Sequence, residues 1–267
     1  MNDTWLNILL VPTERHMIPR RLRYTSSNLV LVHSVGRISP WTLPTLFGSS
    51  YPPPDNNTSQ LPSTKMTKLE AALKKIDAAH SEDPRLVTPS GTTPETQLPY
   101  ELHYANKMTQ YLHQRSPNAS ETLQLAVRAQ HLRRWEIPRS EFPQTKAGYH
   151  AWRAHLQKRQ AEMAQNICLE AGYSPSEAER VAALVRKEGL KQEEDEETQV
   201  LEDVACLVFL DDRLEEFEKE HDEAKVVEIL KKTLLKMSPA GMELAQGVVG
   251  GLSERTRGLV GKALEAD

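Results

Sequence analysis

The apolar segment Val200-Leu-Glu-Asp-Val-Ala-Cys-Leu-Val-Phe-Leu210 decides the fold of this chain. Apolar residues fill nearly every position, instead of one helical stripe or alternate positions of a strand. This pattern is typical of a helix that is buried on almost all sides. From residue 66 onward the neighbouring segments show helical spacing and no strand alternation. We therefore predict an all-α fold, a single bundle-like domain over residues 66–267 with this segment at its centre.

The remaining helices are predicted from caps and periodicity. Thr67 and Glu70 form a capping box, and Ser120 is a candidate N-cap for a helix that is expected to end near Trp135. Ser238 followed by Pro239 matches an N-cap with Pro at the first helical position. The predicted spans are Tyr100 to Arg115, about 148–171, a helix capped by Ser174 or Ser176 and ending near 189, about 222–237 and 239–265.

Residues 1–65 differ from the rest of the chain in composition. They are rich in Pro, Ser, Thr and Asn, and we expect a disordered or spurious extension, with Met66 as the natural start. A mitochondrial presequence is the alternative, although Asp3 and Glu14 argue against it. Cys168 and Cys206 fall in apolar helical patterns and predict buried free thiols in a reducing compartment. The expected location is the cytoplasm, or the mitochondrion if 1–65 is a presequence.

Charge and hydropathy indicate which kinds of partner this chain could bind. Residues 1–65 contain six basic and three acidic residues, a net charge of +3; the whole chain is −4, so the remainder is −7. An acidic domain argues against nucleic acid as a partner, though not against a local basic pocket. No apolar run is long enough to span a bilayer, which predicts no membrane partner.

Two short segments concentrate Arg, His and aromatic residues. They are Ala129-Gln-His-Leu-Arg-Arg-Trp-Glu-Ile-Pro-Arg139 and Gly148-Tyr-His-Ala-Trp-Arg153. Guanidinium forks and aromatic faces suit a small anionic or phosphorylated ligand. The alternative is that the two tryptophans fill the core and the arginines cover them and pair with acids. The predicted ligand-binding residues are Arg134, Trp135, Arg139, Tyr149, Arg153 and Lys187.

Three ionisable residues stand in apolar surroundings. Asp203 lies within the most apolar segment, His131 is predicted on an apolar helix face with Arg134 one turn away, and Glu101 opens a helix. A buried carboxylate needs a cation or a metal as partner. His131, Asp203 and Glu101 are therefore candidate catalytic residues, with His131 and Asp203 as candidate ligands of a divalent metal. Alternatively, Asp203 pairs with Arg134 or Arg153 as a structural partner.

The two Arg-rich segments belong to a wider resemblance. Together with Glu101-Leu-His-Tyr-Ala105, the Leu201–Leu210 part of the apolar segment and Lys236-Met-Ser-Pro-Ala-Gly241, they resemble the family called domain of unknown function 4202, over about residues 66 to 245. Its members often carry the genome label glutamyl-tRNA synthetase. This chain lacks the nucleotide-binding α/β pattern and the His-Ile-Gly-His type signature of such an enzyme.

The order of polar residues is also similar to that of the HD-domain phosphohydrolases, which are all-helical and bind a metal through a His, a His-Asp pair and a distant Asp. Glu101 or His103 would take the first position, His131 the pair and Asp203 the last Asp. The sequence departs from that pattern, because Leu132 replaces the Asp of the pair. Lys187 and Gln160 stand where further histidines would be useful. In a degenerate site, Arg134 and Lys187 would supply fixed positive charge in place of the metal.

Three functions follow as hypotheses. The first is an HD-like protein that binds or hydrolyses a phosphorylated small molecule, and as an enzyme it would be a metal-dependent phosphohydrolase. The second is a non-catalytic helical domain that binds a ligand or a protein. The third is a tRNA-associated protein, as the genome label suggests, against which the acidic domain argues.

Overall fold

A computed structural model describes residues 66–89, 93, 96–190 and 195–265. The extension predicted for residues 1–65 lies outside them. Within the described part, regular structure is almost entirely helical, which confirms the all-α prediction. The exception there is a short antiparallel pair of strands, β1 (Leu86–Val87) and β2 (Leu98–Pro99).

The described helices are joined by connections of very different length, the longest of which lie before the second helix and before the fourth. A 3₁₀ turn at Arg134–Glu136 and another at Arg139–Glu141 separate the third and fourth helices, and a π-helical turn at Phe209–Arg213 follows the sixth. The helices are α1 (Lys68–His80), α2 (Tyr100–Arg115), α3 (Glu121–Arg128), α4 (Lys146–Glu170), α5 (Pro175–Val185), α6 (Glu196–Val208), α7 (Leu214–Glu220), α8 (Glu223–Leu234), α9 (Pro239–Gly250) and α10 (Glu254–Glu265).

Helix α6 is the centre of the domain, as the sequence predicts. Every residue from Val200 to Val208 is buried. Helices α2, α3, α5 and α9 pack around it, while α4 lies along α5 and α10 lies along α8. Burial on all sides explains why this helix carries apolar residues around its whole circumference. Among the described residues, no helix is both long and apolar enough to cross a membrane.

Most predicted caps are present, and two predicted boundaries are wrong. Thr67, Ser120, Ser174 and Ser238 accept hydrogen bonds from the first turns of their helices. The helix that was expected to end near Trp135 ends at Arg128, because the backbone soon enters the left-handed region, which a right-handed helix cannot continue through. The helix predicted over 239–265 is two helices, because the chain turns after Gly250 and a new cap starts α10.

Helix α9 approaches α6 closely at Gly241. A Cβ atom added there would lie 2.6 Å from Oδ1 of the buried Asp203. We expect Gly241→Ala to lower the free energy of unfolding by about 1–3 kcal/mol through overpacking. Gly247→Ala, in the same helix with nothing within 4 Å of its added Cβ, is the control and should be neutral or stabilising by up to about 1 kcal/mol. Equal stabilities in urea unfolding would contradict the expectation.

Candidate anion-binding site

A small, partly enclosed cavity of about 30 Å³, with room for about two water molecules, lies beside α6. One wall is a face of α4, and the other is formed by the chain segments that follow α3 and α5. Tyr104 from α2 and Ala205 from α6 form part of the lining. Because these elements are far apart in sequence, the cavity exists only when the bundle is assembled.

The α4 wall follows from helical periodicity. Arg153, Gln157 and Gln160 stand four and then three residues apart, so they lie on one side of the helix, and all three line the cavity. Trp152 is fully buried and donates from Nε1 to the carbonyl oxygen of Ile137, at 3.0 Å. This hydrogen bond fixes α4 to the loop before it.

The opposite wall contains unusual backbone geometry. His131 has φ of 66° and Lys187 has φ of 56°, and both line the cavity. Arg133, two residues after His131 and outside the lining, has φ of 50°. Within the described part of the chain, these are the non-glycine residues with positive φ, a conformation that residues with a Cβ adopt infrequently. Their concentration at one cavity is typical of a functional site.

Glu101 holds the turn that carries Arg134. Its side chain is fully buried, and its Oε1 accepts a hydrogen bond from the backbone N–H of Trp135 at 3.0 Å. Its Oε2 lies 3.4 Å from Nδ1 of His80, and its Oε1 lies 3.6 Å from Arg85. Glu101, a predicted catalytic residue, does not line the cavity; these contacts give it a positioning role.

Arg134 and Arg153 both line the cavity, and each has a buried guanidinium nitrogen without a hydrogen-bond partner. Nη2 of Arg134 and Nη1 of Arg153 are buried and have no hydrogen-bond partner, and neither side chain forms an ion pair with a described carboxylate. The Arg134 guanidinium lies over the Trp152 ring, 4.6 Å from its centroid. Burial, and next the charge of Arg153, lower the pKa of Arg134 to about 10. Arg134 therefore stays charged at neutral pH, and the neighbouring guanidinium of Arg153 repels it.

His131 and Gln160 add two more buried polar atoms to the same cavity. Nδ1 of His131 and Nε2 of Gln160 have no hydrogen-bond partner. The His131 ring stacks on Tyr104, with centroids 4.1 Å apart and planes at 15°. Burial, followed by the charges of Arg134 and Lys187, lowers the pKa of His131 well below 6.5. His131 is therefore neutral at pH 7.

Lys187 reaches the cavity wall from the end of α5 and pairs with the buried Glu202. Lys236 lies 3.4 Å from the other oxygen of the same carboxylate. Burial by itself would raise the pKa of Glu202, but the two ammonium groups outweigh it and lower that pKa to about 2. The charge of Arg153 also contributes to this lowering, after the two lysines, but Arg153 forms no ion pair with Glu202.

Asp203 does not line the cavity. Its carboxylate accepts hydrogen bonds from Nε of Arg115 at 2.9 Å, from the backbone N–H of Ser238 at 2.8 Å and from Nε2 of Gln199 at 3.0 Å. The Ser238 hydroxyl donates to it as well, at 2.5 Å. The ion-pair partner is therefore Arg115, and not Arg134 or Arg153 as the structural alternative proposed.

Trp135, Arg139 and Tyr149 do not line the cavity. The Arg139 guanidinium donates to the carbonyl oxygens of Phe142, Pro143 and Thr145, so it stabilises its own loop. The indole Nε1 of Trp135 and the hydroxyl of Tyr149 are buried without a hydrogen-bond partner. Of the predicted ligand-binding residues, the structure brings Arg134, Arg153 and Lys187 together at the cavity, with His131.

Nothing in the described residues gathers three His, Cys, Asp or Glu side chains into a group that could hold a metal ion. The metal role of His131 and Asp203 stays a prediction. Cys168 and Cys206 are buried and free, as predicted, and line no part of the cavity.

Sequence reasoning missed four polar lining residues. These residues, which were not predicted to bind a ligand, are Tyr104, Gln130, Gln157 and Gln160. The spacing of Arg153, Gln157 and Gln160 on α4 was the available signal, since polar residues that repeat on one helix face share a neighbour. Tyr104 and Gln130 gave no such signal, because their position depends on how α2 and α3 pack.

Comparison with known proteins places the domain in a family without assigning its activity. No curated protein and no solved structure matches the chain. One family matches residues 70–260, which is most of the chain and includes every residue that lines the cavity. The protein therefore belongs to the family described as Domain of unknown function (DUF4202).

Proposed function

We propose that this protein binds a small anionic ligand, a phosphorylated small molecule, in the cavity between α4 and the segment after α3. The observation that carries the proposal is the pair Arg134 and Arg153. Each presents a buried guanidinium nitrogen with no partner, and no described carboxylate pairs with either. Buried polar groups in native proteins nearly always have partners, so two such donors at one cavity indicate a missing acceptor.

Electrostatics supports an anion as that acceptor. Two guanidinium groups brought together away from water repel each other, and a buried charge without a counter-charge is strongly unfavourable. An oxyanion between them would compensate both charges and accept from Gln160 as well. Guanidinium groups bind phosphate oxygens through paired N–H donors, which makes a phosphoryl group the best match.

Hydrolysis is not needed for this proposal. The four donors on Asp203 occupy the carboxylate that an HD-like metal site would use, and Glu101 is engaged with the turn and with His80. A catalytic or metal-binding role of His131, Asp203 and Glu101 stays a prediction. The proposed binding depends on guanidinium nitrogens of Arg134 and Arg153 that have no hydrogen-bond partner.

Binding is tested by isothermal titration calorimetry with inorganic phosphate and a panel of phosphate monoesters. We expect wild-type protein to bind, and Arg134→Met to lose at least tenfold in affinity, because hydrogen bonds to a charged group contribute about 1.5–3 kcal/mol each. Arg255→Met is the control, since Arg255 is exposed and pairs with Glu218. No heat with any anion, or equal losses in both variants, would refute the proposal.

A further inference from the structure

His131 has hydrogen-bonding capacity that the other groups of the cavity leave unused. Its side chain is buried in the cavity wall, and its Nδ1 has no hydrogen-bond partner among the described residues. The ring stacks on Tyr104 with centroids 4.1 Å apart, and the backbone that carries it has φ of 66°. A packed ring on strained backbone, with a buried nitrogen that has no partner, indicates that His131 serves a ligand.

The largest charges that act on the His131 ring are positive. They belong to Arg134, Lys187, His80 and Arg85. Burial first, and then these charges, lower the pKa of His131 well below 6.5, so the imidazole is neutral at pH 7. In either tautomer, a neutral imidazole has one N–H donor and one bare nitrogen that accepts. The ring therefore brings a hydrogen-bond acceptor to the cavity wall.

The other unpartnered atoms of the described lining are donors. They are Nη2 of Arg134, Nη1 of Arg153 and Nε2 of Gln160. The lining therefore combines three donors with the one acceptor of His131. An oxyanion without a hydrogen would accept from the three donors and leave the ring acceptor opposite an oxygen lone pair. An oxyanion that carries one hydrogen would satisfy the donors and the acceptor together.

The size of the cavity limits the ligand to one oxyanion group. The free space holds about two water molecules, so a single group enters it and the remainder of a larger ligand lies at the mouth. A phosphoryl group can keep a hydrogen near neutral pH, since the second pKa of a phosphate monoester is about 6. Sulfate has the same tetrahedral shape and carries no hydrogen at that pH.

We propose that the site selects a phosphoryl group that carries one hydrogen and rejects sulfate. The hydrogen of this group is donated to the bare ring nitrogen of His131, and the other oxygens accept from the two guanidinium groups and Gln160. An oxyanion without the hydrogen leaves that buried nitrogen unpaired, which is how a site built around a hydroxyl rejects an analogue that lacks it. This inference rests on the proposed anion-binding function and specifies the oxyanion that it binds.

The test compares inorganic phosphate with sulfate in calorimetric titrations at pH 8, where both are mainly dianions of the same shape. We expect wild-type protein to bind phosphate at least tenfold more tightly than sulfate. His131→Phe keeps an aromatic ring beside Tyr104 and removes the acceptor. In this variant the preference should fall below about threefold, because phosphate binds more weakly while the affinity for sulfate changes less than twofold. His113→Phe, at an exposed position of α2, is the control and should keep the preference.

A second comparison distinguishes free phosphate from the phosphoryl group of a larger molecule. Methyl phosphate is titrated at pH 6, where about half of its molecules carry the hydrogen. An affinity within about threefold of that of phosphate at the same pH would assign the cavity to the phosphoryl group of a larger ligand. A loss of about tenfold or more would assign it to free phosphate.

The two proposals fail in different ways. If no anion binds wild-type protein, the anion-binding function itself is wrong and the selection of a protonated phosphoryl group falls with it. If phosphate and sulfate bind wild type equally, or if His131→Phe keeps the preference for phosphate, the function stands and the role of His131 is wrong. The wild-type comparison decides the matter even if His131→Phe is too unstable to titrate.

Discussion

Asp203→Asn should lower the free energy of unfolding by about 3–5 kcal/mol, because it breaks a buried ion pair. The Asp203 carboxylate is fully buried and accepts from Arg115, Gln199 and Ser238. The Asn side chain would place an NH₂ group where one carboxylate oxygen of Asp203 stands. That group would face N–H or O–H donors that already point at this position. The Arg115 guanidinium would lose its counter-charge, and the N-terminus of α9 would lose its anchor on α6.

The measurement is urea unfolding followed by circular dichroism. Asp211→Asn is the matched control, since Asp211 is partly exposed and pairs with Lys107 at the surface, where an ion pair contributes about 0–1 kcal/mol. A chelator-treated wild type separates the structural role from the metal role. Equal stability before and after chelation, with a large loss in Asp203→Asn, is expected; a chelator effect as large as the mutation would instead favour a metal ligand.

Glu202→Gln should have the second large effect. At pH 7 we expect it to lower the free energy of unfolding by about 3–5 kcal/mol. Glu202 is almost completely buried between Lys187 and Lys236. A neutral amide would leave both ammonium groups without their shared counter-charge, close to Arg153. Glu228→Gln is the control, because Glu228 pairs with Lys225 and Lys232 on the exposed surface of α8.

The stabilisation that Glu202 provides together with Lys187 and Lys236 should depend on pH, and the pKa of Glu202 gives the direction of that dependence. The pKa of Glu202 is lowered to about 2, despite burial, by the two lysines, from an ordinary value of 4.5. A lowered folded-state pKa stabilises the protein above the unfolded pKa, and this stabilisation disappears as the pH falls through the folded value. This pKa shift corresponds to about 3 kcal/mol of stability at pH 7. The difference in free energy of unfolding between wild type and Glu202→Gln should therefore shrink to roughly half by pH 3. A difference that stays constant between pH 7 and pH 3 would contradict this assignment.

The two carboxylates explain why the cavity is cationic. Asp203 compensates Arg115, and Glu202 compensates Lys187 and Lys236. Both are adjacent on α6, and neither pairs with Arg134 or Arg153. The acidic composition of the domain therefore coexists with a local positive site, because no described carboxylate forms an ion pair with Arg134 or Arg153.

The candidate site was predictable in part from the sequence. The concentration of Arg and aromatic residues in the two segments around Arg134 and Arg153 indicated a binding region, and both arginines line the cavity. The roles of Arg139 and Glu101 were not predictable, because hydrogen bonds to loop carbonyls and to the turn of residue 135 depend on the path of a loop. Local sequence patterns carry no information about that path.

The sequence by itself determined the helical content, the caps and the burial of Val200–Val208. These properties depend on residues within one or two turns of each other, so periodicity and capping chemistry specify them. Only the tertiary structure decided that Asp203 pairs with Arg115, 88 residues away along the chain, and that α3 ends before His131. Helix packing selects one cation among several for a buried carboxylate. Contacts across the bundle also hold the left-handed turn that brings His131 and Arg134 to the same cavity as Arg153.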